Sequence, residues 1–272
     1  MNTRNSRRLA FGLLSTFTCA LTLLFLLYGA VGATTTARVS AQNPTARTPS
    51  ETVREFYKAL SEKRFRDAFA ISTLKGAIEG LSNEEFEDLR PDFERMAVAA
   101  GNVSISGEQV SGETATVFVR MKDANPSEPP DQVSLMRGGG IWVLGDKASQ
   151  EAVNKEGKKY FFKARIDTHH SEVQDMLRRI NVGQFVYNKQ HNGRYGDMPA
   201  LIAAGLIPKD LESTESTGYR FHITLSADAK SFTAEAEPAR YGRTGRLSFF
   251  MDQTGIKSAD MGGKPFSSAD KR

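Results

Sequence analysis

Cysteine is almost missing from this chain. Cys19 is the only one in 272 residues, so no intrachain disulfide and no paired-cysteine metal or redox motif can form. Exported proteins without disulfides are common, so this does not place the chain in the cytoplasm. Histidine is sparse as well: the four are His169, His170, His191 and His222, and none lies before residue 169. Ser–His–acid motifs and Gly-rich phosphate loops are also lacking. A large basic excess is missing too. The net charge is +4, part of it comes from Arg4, Arg7 and Arg8, and no basic stripe is interleaved with aromatics, so nucleic acid is not an expected partner.

Charge is absent altogether from Leu9 to Ala33. About 20 apolar residues span a bilayer, and this segment exceeds the roughly 7–15 residues of a signal-peptide core. Arginines stand before it, and only Arg38 follows closely. The positive-inside bias predicts a single-pass inner-membrane anchor with the rest of the chain exported to the periplasmic side. Val39-Ser40-Ala41 resembles a cleavage site, so the alternative is a secreted protein cut near Ala41. Cys19 lies in this segment as a membrane-buried thiol, since Thr16-Phe17-Thr18 does not resemble a lipobox. Residues 34–49, small and polar with Pro44 and Pro49, predict a linker.

Helical spacing follows. Val53, Phe56, Tyr57 and Leu60 share a face after Ser50, the expected N-cap. Phe65, Ala68 and Phe69 form a second piece. Ser82-Asn83-Glu84-Glu85 fits a capping box, ahead of Phe86, Leu89, Phe93 and Met96, with Pro91 a point of kinking. After Gly101 the pattern alternates in β-branched runs: 103–105, 114–121, and a hairpin of 133–136 with 141–144 around Gly138-Gly139-Gly140. Glu108–Ser111 reads as a separate edge segment, and Trp142 as a core anchor of the sheet. Asn102-Val103-Ser104 fits a short, often accidental glycosylation sequon. Helices followed by antiparallel strands predict an α+β domain over residues 50–146.

That stretch resembles the nuclear-transport-factor-like, or cystatin-like, group, including its small exported SnoaL-like members. The likeness lies in SETVREFYKAL (50–60), VSGETATVFVRMK (110–122) and GGGIWVL (138–144). It implies a cone of helices on a curved sheet. Enzymes of that group place acids, Tyr or His in the cone mouth, but no such set carries over here. Tyr57, Asp67 and Trp142 are the side chains expected to line a pocket.

Residues 147–163 are charged and contain Gly157; they predict a linker or a frayed extension of the next helix. A long helix then carries Ile166, Val173, Leu177, Ile180 and Tyr187 on one stripe, with His170 and Gln184 in the remaining steps. Asn192-Gly193 closes it. Tyr219, Phe221, Ile223 and Leu225 alternate with polar residues, and strands at 219–226, 232–237 and 247–251 follow. The order of Leu177-Arg178-Arg179-Ile180-Asn181, Gln184, Tyr187, Gly193-Arg194-Tyr195, Leu201, Gly205-Leu206, Gly218-Tyr219 and the Asp252-Gln253-Thr254-Gly255 turn is similar to type IV pilins and type II secretion pseudopilins. The resemblance covers residues 164–260 and implies a long helix packed on a three-stranded antiparallel sheet, with a flexible tail at 261–272. It departs where the family's apolar half-helix and processed glycine would stand, so filament packing is not expected.

Asp167, His169, His170 and Glu172 include i,i+3 pairs of metal-ligand type. Adjacent histidines point about 100° apart on a helix, and two ligands make no site, so both histidines are read as surface residues, with His170 near the apolar stripe and partly buried. The expectation is a non-catalytic binding or scaffold protein of the cell envelope, with no cofactor and no metal. Its expected partners are the cytoplasmic membrane through residues 9–33 and an envelope protein of pilus or secretion type. The alternative is a small-ligand-binding or enzymatic cone domain with an accessory pilin-like module.

Overall fold

The computed structural model describes residues 47–101, 103–121, 125 and 127–267. The expected anchor or signal at 9–33, nearly all of the 34–49 linker, and Asn102 lie outside them. Among the described residues no helix is long and apolar enough to cross a membrane. The chain is α+β, with two antiparallel four-stranded sheets in two compact units that meet in sequence at Tyr160 and Phe161.

The first unit opens with α1 (Pro49–Ser61). Its cap is Thr48, not Ser50 as expected: Glu51 N–H donates to Thr48 Oγ1 at 3.2 Å and Thr48 N–H to the Glu51 carboxylate at 2.8 Å. Proline at the first helical position needs no partner for its missing N–H, which favours this register. Helices α2 (Phe65–Ala70), α3 (Lys75–Glu79) and α4 (Asn83–Ala100) follow. Ser82 and Glu85 form the expected reciprocal cap on α4, and the helix runs on through Pro91. Strands β1 (Val103–Ser111), β2 (Thr114–Met121), β3 (Asp131–Gly138) and β4 (Ile141–Leu144) make an antiparallel meander. Residues 108–111 belong to β1; a register shift between Ile105 and Gly107 bends one strand where two segments were expected.

Phenylalanine fills the space between helices and sheet. Phe56 and Phe69 are 6.2 Å apart, Phe69 and Phe93 5.2 Å, Phe65 and Phe93 5.6 Å. They are buried together with Val117, Val119 and Leu135 of the sheet. Tilted and edge contacts of this kind add about 0.5–1.5 kcal/mol per pair beyond area burial. Gly145, at φ +113°, lets the chain leave β4 past the Thr73 side chain, where a Cβ would clash.

Residues 147–163, expected as a linker or a frayed extension of the next helix, are helical. They form α5 (Lys147–Glu156), a 3-10 turn at Gly157–Lys159 and the start of α6 (Tyr160–Gln190). Asp146 and Ser149 cap α5 reciprocally, Val153 is buried, and Lys158 reaches Glu85 at 3.2 Å. Few apolar residues mark this helix because it buries only one.

In the second unit α6 lies on a meander of β5 (Tyr219–Leu225), β6 (Phe232–Pro238), β7 (Leu247–Asp252) and β8 (Gly255–Asp260). The sheet has four strands where three were expected, because the turn at 252–255 returns the chain as β8. Val173, Leu177 and Ile180 pack with Tyr219, Phe221, Phe232, Ala234, Ala236, Phe249 and Met251. Between α6 and β5 the chain forms α7 (Met198–Ala203), a 3-10 turn at Lys209–Glu212 and α8 (Thr214–Thr217). Buried Gln184 ties this connection down: its amide donates to Gly196 O at 2.6 Å and accepts from Gly196 N–H at 3.0 Å. Residues 261–267 are not a flexible tail. Phe266 is buried against Phe250, with ring centroids 6.2 Å apart, and Ser248 Oγ donates to Lys264 O at 2.6 Å.

Candidate functional site

The expected pocket residues do not come together. Asp67 is an exposed acid held by Arg64 at 3.0 Å. Trp142 is half-buried, with Arg137 5.6 Å above its ring, so it is not the core anchor expected of a lone tryptophan. Cross-strand pairing of Arg137 with Trp142 at the hairpin end explains this. Tyr57 alone lines a cavity, of about 330 Å³.

That cavity lies beside the last turns of α1, where the end of α4 passes to the start of β1. Arg54, Tyr57, Lys58 and Ser61 come from α1, Ala100 and Gly101 from the α4 terminus, and Val103, Ser104 and Ile105 from β1. The Tyr57 side chain is 8% exposed, and its hydroxyl is buried without a hydrogen-bond partner. An unsatisfied buried polar group costs about 1–3 kcal/mol. Burial, and then the negative charge of Asp131, push the Tyr57 phenol far above its ordinary range, so it is a neutral hydroxyl. It can donate or accept a hydrogen bond but cannot serve as a base. Sequence placed Tyr57 in a pocket; it missed Arg54 and Lys58, whose i,i+4 spacing on α1 was the available signal.

Of the histidines in the second unit, His169 departs from the surface position expected for it, while His170 is partly buried as read. His169 is buried, and its Nδ1 lies 2.7 Å from Thr244 O. A carbonyl only accepts, so Nδ1 carries the proton. His170 is half-buried, and its Nε2 accepts from the backbone N–H of Arg246 and Leu247 at 3.2 and 3.3 Å. Both histidines hold the chain on either side of Gly245; they do not project into water. His191 stacks on Tyr187 with centroids 3.7 Å apart, and exposed His222 meets the buried Glu237 carboxylate at 3.2 Å. Among the described residues no group of three or more His, Cys, Asp or Glu side chains could hold a metal ion.

A second hollow, of about 560 Å³, runs between α6 and the β7–β8 hairpin. Arg178 and Val182 line it from the helix, Met251, Asp252 and Ile256 from the strands. Beside it Val182 and Phe185, three residues apart on α6, are each 63% exposed. They lie off the stripe that packs on the sheet, and Lys189 Nζ stands 5.5 Å from the centre of the Phe185 ring.

No family model matches the chain, and neither a curated protein nor a solved structure is found similar to it.

Proposed function

We propose that the chain is a non-catalytic binding or scaffold protein of the cell envelope, in which the second unit is an adaptor for a pilus- or secretion-type assembly. The observation that carries this is the exposed pair Val182 and Phe185 beside the hollow against β7–β8. An amphipathic helix buries its apolar stripe and leaves a polar outer face; α6 buries its stripe and still presents two large apolar side chains to water. The helix-on-sheet order of 164–260 and its likeness to pilin heads point to an assembly subunit as what covers them. The first unit supports the same reading. Under the cone-like resemblance its helix–sheet space would be the reaction chamber, and Phe56, Phe65, Phe69 and Phe93 fill that space. The segment 9–33 is proposed as the membrane anchor that holds both units on the exported side.

The test is a photo-crosslinking residue at position 185 in cells. The expected product is an adduct with an envelope assembly subunit, identified by mass spectrometry and lost in Val182→Asp. Adducts with cytoplasmic proteins alone, or an adduct indifferent to Val182→Asp, would overturn the reading.

A further inference from the structure

We infer that the cavity beside Tyr57 is a binding site for a small organic anion with an apolar body, its charged head held by Arg54 and Lys58. The first observation is the state of the cations. Along α1 to α4 the other basic side chains are engaged: Lys63 with Glu94, Arg64 with Glu55, Glu62 and Asp67, Arg66 with the Ile78 carbonyl, Lys75 with Glu79, Arg90 with Glu87, Arg95 with Asp92. The side chains of Arg54 and Lys58 make no hydrogen bond or ion pair among the described residues, and Arg54 is coupled to Glu51 only through its charge. They stand one turn apart on α1 and line one hollow.

The second observation is independent of charge. Tyr57, between them in sequence and against the same hollow, keeps a buried hydroxyl with no partner. The other hydroxyls at the rim are occupied: Ser61 Oγ donates to Lys58 O at 2.8 Å, and Ser104 Oγ to Arg120 O at 3.1 Å. Recognition of a polar head therefore falls to the guanidinium, the ammonium and the phenol. Ala100, Val103 and Ile105 supply the apolar wall. Two cations repel a third, and a neutral polar head would leave them unpaired. A carboxylate or comparable oxyanion satisfies both, and can accept from the phenol once that side chain shifts to meet it.

Isothermal titration of the full chain with octanoate, octanamide and octylammonium tests this. Octanoate should bind, octanamide at least about tenfold more weakly, the scale of a lost charge-assisted contact, and octylammonium not at all. The double variant Arg54→Gln, Lys58→Gln should lose octanoate binding at an unchanged melting temperature, since both residues are exposed. Tyr57→Phe should weaken octanoate several-fold and raise the melting temperature, because it removes the orphan hydroxyl. Equal binding of the three probes, no octanoate binding, or full binding by the double variant would each overturn the site. Octanoate affinity unchanged in Tyr57→Phe would overturn the part given to the hydroxyl. None of these outcomes bears on the crosslinking result at Phe185.

Discussion

His170 shows how a single side chain can be placed by pattern and misjudged in role. It completes the alternating four-and-three spacing of α6, yet its work is to accept two backbone N–H groups from the strand entry. Protonation of Nε2 would abolish both bonds. Burial, opposed by Asp167 and aided by Arg246, holds its pKa below the ordinary 6.5. The unfolded chain therefore takes up the proton first, so the fold loses stability as pH falls from about 6.5 through the lowered value. The melting temperature should drop between about pH 7 and pH 5, and His170→Gln, which keeps an acceptor but cannot titrate, should flatten that drop. An unchanged slope would refute the assignment. Neighbouring Gly245 explains the crowding here: a Cβ on it would overlap the Tyr219 hydroxyl, which donates to Leu247 O at 2.9 Å. Such close approaches lie between distant parts of the chain and leave no mark in local sequence. The Thr48 cap was legible, since Thr-x-x-Glu precedes the apolar run, but Ser50 competed for it.

At the scale of elements, legibility followed the amount of apolar surface each one buries. The α6 stripe was readable because three of its members, Val173, Leu177 and Ile180, are nearly sealed in the cluster formed with the sheet. Leu177 is fully buried, so Leu177→Ala should cost about 2–5 kcal/mol, depending on how far the site collapses. Chemical denaturation would measure it, and a loss below about 1 kcal/mol would mean the helix is not held by this face. By contrast β8 is a mostly exposed edge strand, and edge strands suppress apolar alternation to avoid pairing with other chains. Its residues therefore read as the end of a turn and irregular chain within the 164–260 module. Helix α5 was missed for a similar reason, with Val153 its one buried side chain. Phe266 escaped notice because a single aromatic in a Gly- and Pro-containing stretch has no period to reveal it.

For the whole molecule, the shift in composition after residue 146 suggested a boundary there, and the two compact units divide at Tyr160 and Phe161. Charge alone could not separate a linker from a polar helix. Each unit has its own sealed core: Phe56, Phe65, Phe69 and Phe93 with the first sheet, and the cluster from Val173 to Met251 with the second. Each also has a length within the roughly 50–200 residues of ordinary domains. Fragments 47–160 and 161–267 should therefore fold separately, each with a cooperative thermal transition and dispersed amide signals. Protease should spare 147–156, because cleavage needs an exposed, unfoldable backbone and this stretch is a capped helix with a buried valine. That outcome separates a structured junction from the flexible linker suggested by composition. If 161–267 lacked a cooperative transition while the full chain kept one, its core would be incomplete without the first unit. The proposed adaptor role would then belong to the two units together, since the second could not carry it alone.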